Sequence, residues 1–226
     1  MGAVFDHKAW RHAGPVYGDL SVGDITQLNV NGVATDFIVV HQGKPLTYYN
    51  NTCDGTWLLM ESIYEKRQWH TSRTNHYGVS SIHSYLNSTF LGLFDAEVQN
   101  AISQVGIPYY PSNSGVPQTG PNAAGLSAKI FLLSGREVNY SSARMPYDGN
   151  TLEYFASCAT ASADSKRIAS LSGTATDWWL RSLCMGNDKE SWYVSGTGDL
   201  SYSYCNATTY GIRPCLIMPS NQKIFS

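Results

Sequence analysis

DWWLRSL, residues 177–183, places two tryptophans beside one arginine in a chain where only 14% of the residues are charged. Its large apolar residues, bounded by polar turn residues, predict a short strand. Alternation along a strand would send Trp178 to one face and Trp179 and Arg181 to the other. The guanidinium of Arg181 can then stack on a tryptophan ring, or its planar fork can bind buried carbonyls or a carboxylate. We therefore interpret the stretch as a core anchor rather than a ligand platform or part of an active site.

The rest of the C-terminal region continues this pattern. SWYVSG (191–196), SYSYC (201–205) and GIRPCLIM (211–218) predict further short strands joined by Gly and Asn turns. In the last of them Arg213 precedes Pro214, which favours an extended or turn geometry. Two arginines in the strands of a turn-rich region suggest guanidinium groups that tie irregular loops to a sheet. The predicted structural framework is Trp178, Trp179, Arg181 and Arg213.

Upstream of residue 130 the chain carries both strand and helix signals. Asn31-Gly32, the strongest short hairpin signal, divides residues 25–43 into two predicted strands. The stretch TWLLMES, residues 56–62, predicts another strand. Helical spacing of apolar residues predicts two helices, over residues 80–94 and 94–105. These elements precede a segment, IPYYPSNSGVPQTGPNAAGLSA, whose Pro, Gly, Ser and Asn content predicts mostly loop.

The order of these elements indicates an α+β fold with two helices and short antiparallel strands, rich in loops. Asp95 is predicted to be the N-cap of the second helix. Residues 21–226 are expected to form one domain, with an antiparallel C-terminal sheet. Residues 1–20 are interpreted as an arm that packs on another surface, because its aromatic residues are too apolar to remain in water and too few for a core. That surface is either its own domain or a neighbouring subunit, and we favour docking on a neighbour. These aromatic residues are Phe5, Trp10 and Tyr17.

Composition limits the classes of partner. The chain of 226 residues has 15 Lys and Arg against 17 Asp and Glu, a net charge of −2. This balance gives no field that would attract nucleic acid or an anionic membrane. The basic pairs Lys66-Arg67 and Lys166-Arg167 are interpreted as ordinary solvated charges. No segment approaches the roughly 20 apolar residues that cross a bilayer, and the N-terminus lacks a signal core. We expect no nucleic-acid partner and no membrane partner.

No motif for catalysis, metal binding or a cofactor emerges from the sequence. His70, His76 and His83 lack the spacing that places two ligands on one helix face. A phosphate-binding glycine loop and a nucleophile elbow are both absent. The five cysteines form no CxxC pair and are expected to be reduced, mostly buried thiols. We therefore expect no catalytic residues, no metal and no cofactor.

Four segments in fixed order carry a family resemblance: FLLSGREV (131–138), WWLRS (178–182), a V-x-G-x-G stretch (194–198) and GIRPCLI (211–217). They resemble an uncharacterised domain widespread in phages and prophages of Gram-positive gut bacteria, and the resemblance covers roughly residues 20–218. That domain is distantly similar to the C-type-lectin-like fold shared by formylglycine-generating enzymes and by receptor-binding proteins of phages. The resemblance implies such a fold, with the WWLRS and GIRP strands as framework.

The function implied by the resemblance is that of a non-enzymatic structural protein of the virion, made in the host cytoplasm. It would be displayed on the particle as a capsid decoration or a tail or host-attachment component, in an oligomeric assembly with other virion proteins. Residues 185–210, with the loop at 107–127, would present a ligand surface to a host cell-surface glycan or protein. Rigid tyrosines among small polar residues suit adaptable contacts. The candidate ligand-binding residues are Trp192, Tyr193, Tyr202, Tyr204 and Tyr210.

Two alternatives remain at this point. A formylglycine-generating-type oxidase or related enzyme would need a closely placed cysteine pair that handles copper, for which Cys205 and Cys215 are the nearest candidates. Their surroundings do not match the motif of that branch. A free carbohydrate-binding module would need an open aromatic groove.

Overall fold

Strands make up most of the regular structure in the computed structural model, which describes residues 14–111 and 124–225. The strands, numbered in chain order, are β1 (Ile25–Val30), β2 (Val33–Gln42), β3 (Thr56–Met60), β4 (Glu65–Lys66), β5 (Val105–Ile107), β6 (Leu126–Ala128), β7 (Ile130–Phe131), β8 (Ser170–Leu171), β9 (Thr174–Ala175), β10 (Trp178–Leu183), β11 (Glu190–Val194), β12 (Leu200–Tyr204), β13 (Gly211–Ile212) and β14 (Cys215–Met218). Two short α-helices, α1 (Ser81–Tyr85) and α2 (Ala96–Ala101), accompany them. The predicted mixture of helix and strand is thus confirmed.

Sheet 1 has the strand order β1-β2-β3-β14-β7. The predicted hairpin is confirmed: β1 and β2 pair antiparallel, and Asn31 and Gly32 both have positive φ (54° and 75°), as the primed hairpin turns require. Inward and outward residues alternate along β1, so one of its faces meets the core and the other meets water. All residues of β3 and β14 are buried, so the centre of sheet 1 is covered on both faces.

Sheet 2 has the strand order β12-β11-β10-β13-β4. The stretch at 177–183 forms β10 as predicted, and all six of its residues are buried. β10 pairs antiparallel with β11, and β11 pairs antiparallel with β12. The contact of β10 with β13, however, is a parallel one between Trp178 and Gly211.

The expectation of a single antiparallel C-terminal sheet is therefore wrong. GIRPCLIM divides between the two sheets: β13 lies in sheet 2, while β14 inserts between β3 and β7 of sheet 1. Pro214 lies at the crossing, where its carbonyl accepts a hydrogen bond from the Met60 amide (2.9 Å). Because proline donates no backbone hydrogen bond, it suits the point at which the chain leaves one ladder for another. This short segment ties the two sheets together.

Both α-helices lie within the predicted helical segments but are shorter than predicted: α2 ends at Ala101, and Val105, the predicted end of the second helix, is the first residue of β5. α1 is capped by Ser80, whose Oγ accepts from the His83 amide (3.2 Å), and it continues through a π turn (Leu86–Phe90) and a 3₁₀ turn (Leu91–Leu93). Asp95 occupies the N-cap position of α2, although its side chain makes no capping bond. Within the described ranges, the helices are too short and too polar to span a membrane.

The end of the predicted arm packs on its own domain. Tyr17 is fully buried, and its amide donates to the Gln222 carbonyl (2.9 Å). Val16 forms an antiparallel bridge with Lys223. The predictions for Phe5 and Trp10 lie outside the described residues, so a docking role for the arm stays a prediction.

Replacing the buried ring of Trp178 tests this packing. Trp178 is fully buried, donates from its indole N–H to the Arg167 carbonyl (3.0 Å), and lies under the Arg213 guanidinium at 5.2 Å. Trp178→Ala should lower the free energy of unfolding by about 3–5 kcal/mol, because a large cavity remains. Val33→Ala, at a side chain 64% exposed, should change it by about 0.5 kcal/mol or less. If urea titrations gave the two variants the same free energy of unfolding, the packing described for Trp178 would be contradicted.

Candidate functional site

Arg181 lies at the centre of a buried polar cluster. It is 2% exposed, and both terminal nitrogens bind Glu137: Nη1 donates to Oε2 and Nη2 to Oε1, each at 2.6 Å. The remaining N–H groups donate to the carbonyls of Pro108 (2.9 Å), Leu132 (2.9 Å) and Asp148 (2.8 Å). All five donors of the guanidinium are therefore used. The side chain binds a carboxylate and carbonyls together, the two partners that its strand position suggested.

Glu137 is the carboxylate partner of Arg181, and the sequence patterns did not predict this pairing. Its Oε1 also accepts from the Tyr49 hydroxyl (2.6 Å), and its Oε2 accepts from the Ser134 amide (2.8 Å). The Ser134 hydroxyl in turn accepts from the Glu137 amide (3.1 Å). This reciprocal pair is a capping box, and the Ser-x-x-Glu spacing of residues 134–137 carries its sequence signal. The Ser-x-x-Glu spacing predicts the turn. It does not predict that the Glu137 carboxylate pairs with Arg181, 44 residues later in the chain.

Asp148 completes the cluster. It is fully buried, and its Oδ2 accepts from the Ser182 hydroxyl (2.8 Å), which also accepts from the Gly135 amide (2.9 Å). Its Oδ1 has no hydrogen-bond partner among the described residues. Burial raises the pKa of Asp148 to about 6, and the Glu137 charge acts in the same direction, while Arg181 and Ser182 oppose the shift. The cluster thus holds one arginine between two acids.

Two further arginines are buried. Arg167 is fully buried and donates to five backbone carbonyls, which belong to Val138, Asn139, Ala159, Ser162 and Gly198. The interpretation of Lys166-Arg167 as a pair of solvated charges is therefore wrong for Arg167: its guanidinium satisfies loop carbonyls that would otherwise be buried without partners.

Arg213 takes the cation–π position that was suggested for Arg181. Its guanidinium carbon lies 5.2 Å from the centroid of Trp178, and its Nε donates to the Met60 carbonyl (2.8 Å). Burial lowers the pKa of Arg213 to about 10. All four predicted framework residues are thus buried, and each contacts a different segment of the chain.

The five candidate binding residues do not form one surface. Tyr193 and Tyr210 pack against the buried Trp179, with ring centroids 6.1 Å and 4.3 Å from it. Trp192, the neighbour of Tyr193 on β11, points to the opposite face because successive strand residues alternate. It is 4% exposed and packs edge-on against Tyr202, its cross-strand partner, at 5.2 Å. The structure therefore places Trp192 in the core rather than on a binding face.

Tyr202 and Tyr204 contribute to a surface that also contains two arginines, here called the Tyr–Arg surface. Tyr204 is 42% exposed, and the Arg73 guanidinium lies over its ring at 4.2 Å. Arg144 lies 5.5 Å from the Tyr202 ring and donates to its hydroxyl (3.0 Å). Both tyrosines belong to β12, the edge strand of sheet 2, and being two residues apart they share a face. No pattern in the sequence predicted that these two arginines would lie on the tyrosine rings.

The thiols are poorly suited to nucleophilic or metal chemistry. All five cysteines are free and buried, and burial raises the pKa of Cys53 and of Cys205 to about 12, so that the reactive thiolate is scarce at neutral pH. Cys205 follows β12 in sheet 2, whereas Cys215 belongs to β14 in sheet 1. Across residues 14–111 and 124–225, no three His, Cys, Asp or Glu side chains converge as a metal site.

Comparison with known protein families shows which family the chain resembles. The model of a family described as a domain of unknown function, DUF6273, matches residues 54–220. The match spans the WWLRS and GIRP segments and begins after β2, so it is narrower than the resemblance drawn from the sequence. No curated protein and no solved structure matches the chain.

The buried acid predicts an unusual pH dependence. The pKa of Asp148 is about 6 in the folded chain against an ordinary 3.8, so between these values the folded state binds more protons than the unfolded state. The contribution of Asp148 to stability should therefore fall by about 3 kcal/mol as the pH rises from about 4 to about 6, and stay level above. Asp148→Asn should remove this fall, as measured by urea unfolding across the window.

Asp188→Asn is the matched control, since it makes the same chemical change at an exposed position. Its stability profile should follow that of the parent protein. A parent-like slope in Asp148→Asn would show that Asp148 is not the group that titrates.

Proposed function

We propose that this chain, which belongs to the DUF6273 family, is a non-enzymatic virion structural protein that uses the Tyr–Arg surface to bind a partner. It is displayed on the particle surface as a capsid decoration or a tail or host-attachment component. The family match rests on residues 54–220, which include the two arginine-bearing strand segments. The phage connection rests on the resemblance of those segments.

The observation that carries the binding role is the composition and rigidity of the Tyr–Arg surface. Tyrosine and arginine are, with tryptophan, the residues most enriched at the energetic centres of protein interfaces. Each tyrosine ring is already held by a guanidinium, at 4.2 Å for Tyr204 and 5.5 Å for Tyr202. Such preorganised side chains lose little conformational freedom when a partner binds. The surface is therefore suited to contact with a glycan or a protein.

The burial of the polar cluster around Arg181 supports a structural rather than a catalytic role for its residues. Arg181, Glu137 and Asp148 are each between 0% and 2% exposed, so they are shielded from a substrate in solution. Their hydrogen bonds go to backbone groups, to one another and to the buried hydroxyls of Tyr49 and Ser182. This is the arrangement of a scaffold that fixes loops.

The finer fold assignment also belongs to this proposal. A C-type-lectin-like fold keeps the WWLRS and GIRP segments as framework, and here both are buried, with GIRPCLIM crossing from sheet 2 to sheet 1. The proposed partners are other virion proteins, contacted through the arm with Phe5 and Trp10, and a host cell-surface glycan or protein at the Tyr–Arg surface. The assembly is oligomeric.

Binding to whole Gram-positive gut bacteria tests the role of the Tyr–Arg surface. The double variant Tyr204→Ser with Arg73→Ser should reduce binding of the labelled protein about tenfold or more, because a rigid aromatic contact and its cation are lost. The matched control is Tyr147→Ser with Arg136→Ser, since this exposed tyrosine also lies under a guanidinium, at 4.1 Å. Equal loss in both variants, or none in the first, would contradict the assignment.

Location on the virion is tested by a separate experiment. Particles released from a strain that carries the gene should contain the chain at a fixed ratio to the major capsid protein, by mass spectrometry of gradient-purified virions. Absence from purified particles would overturn the virion assignment.

A further inference from the structure

A groove of about 270 Å³, here called the acidic groove, lies on the outer face of the β1–β2 hairpin. Its floor includes Asn29 of β1 and its cross-strand partner Ala34 of β2, both exposed. Asp95 and Glu97, at the start of α2, form one wall, and Phe225 lines the groove as well. The volume is below the range of small-molecule sites, about 300–1,000 Å³, and suits one large side chain.

The charge of the acidic groove is unbalanced. Asp95 and Glu97 are both exposed, and no lysine or arginine lines the groove. Among the described residues neither carboxylate has an ion-pair partner. The Asp95 side chain makes no capping bond, and its Oδ2 accepts only a long hydrogen bond from Asn29 (3.4 Å). Beside these acids the groove has the apolar surface of Phe225 and Ala34. Its occupant should therefore combine positive charge with a large apolar side chain.

The chain leaves its own domain beside the acidic groove. The Pro15 carbonyl accepts from the Ile224 amide (3.0 Å), and the next residue, Phe225, lines the groove. Gly14 is exposed, and a Cβ atom there would have no other atom within 4 Å. Because it precedes a proline, Gly14 favours an extended backbone over a helical turn. The chain therefore departs from the surface of its own domain at residue 14.

Residues 1–13, here called the arm segment, lie outside the described ranges, and their sequence has the composition that the acidic groove requires. Lys8 and Arg11 outnumber the one acid, Asp6. Trp10 precedes Arg11 directly, so one short stretch offers both a large ring and a cation. A chain of this length spans about 45 Å at most, which is enough to reach the groove of an adjoining molecule.

We propose that the acidic groove of each copy binds the arm segment of a second copy of this chain. Trp10 packs on Phe225, and the cations of the arm segment lie against the two carboxylates. Since each copy carries a groove and an adjoining arm, two copies can exchange arms about a twofold axis, which closes the assembly. The proposal rests on the attachment role of the arm in the proposed function, and it names a second copy as the partner. The acidic groove belongs to sheet 1, whereas the Tyr–Arg surface belongs to sheet 2.

Reversal of the charges on one side of the contact, followed by sedimentation equilibrium of the full chain, tests this proposal. The parent protein should show a concentration-dependent equilibrium between monomer and dimer. A groove variant, Asp95→Lys with Glu97→Lys, should weaken the dimer about tenfold or more, because like charges then face each other. An arm variant, Lys8→Glu with Arg11→Glu, should do the same. A parent that stays monomeric up to about 1 mM, or a dimer that neither variant weakens, would overturn the proposal.

Mixing the groove variant with the arm variant should restore association, now as a heterodimer, because opposite charges meet again at both contacts. This rescue separates a lost contact from a misfolded groove, and its failure with two folded variants would contradict the arm exchange. The matched control is Asp54→Lys with Asp188→Lys, the same change of net charge at exposed positions outside the groove. The control should dimerise like the parent, and an equal loss would assign the effect to net charge.

The outcome is independent of the virion location, since only purified protein is used. Absence from particles together with a rescued heterodimer would overturn the virion assignment alone. Incorporation into particles without any rescue would overturn the arm exchange alone.

Discussion

The buried ion pair between Arg181 and Glu137 is the interaction on which the loop-rich half of the molecule depends. Burying two charges is costly, and the cost is offset only when geometry and additional hydrogen bonds are favourable. Here the pair is bidentate, with both contacts at 2.6 Å, and the other guanidinium donors satisfy three loop carbonyls. The pair therefore joins β10 to segments that have little regular secondary structure of their own.

The same physical device recurs in a chain that has few charged residues. Arg167 satisfies the carbonyls of a second set of loops, and Arg213 joins the Met60 carbonyl to the Trp178 ring. Buried backbone groups need partners, and irregular segments lack the ladders that normally provide them. Arginine, with five donors on one planar group, replaces those ladders.

Local signals in the sequence predicted local structure well. The Asn31-Gly32 hairpin, the strand at 177–183 and the two helices depend on turn chemistry and periodicity, which neighbouring residues determine. Contacts between residues that are far apart in the chain could not be predicted from such local signals. Glu137 is 44 residues from Arg181, so no local pattern connects them. Trp192 and Tyr193 point to opposite faces of β11, and only the pairing of β11 with β12 shows which of the two faces the core. The crossing of GIRPCLIM between sheets likewise depends on β3, whose residues pair with β14 residues about 160 positions later in the chain.

Native-state hydrogen exchange at the turn of residues 134–137 tests most directly whether the Arg181 cluster makes the loops as stable as the sheets. The amides of Ser134, Gly135 and Glu137 bond only to side chains of the cluster or of its turn, at 2.8, 2.9 and 3.1 Å. They should exchange only through global unfolding, with the same free energy as the buried amides of β14. Exchange of the turn amides through a low-energy local opening, while β14 stays protected, would contradict this account.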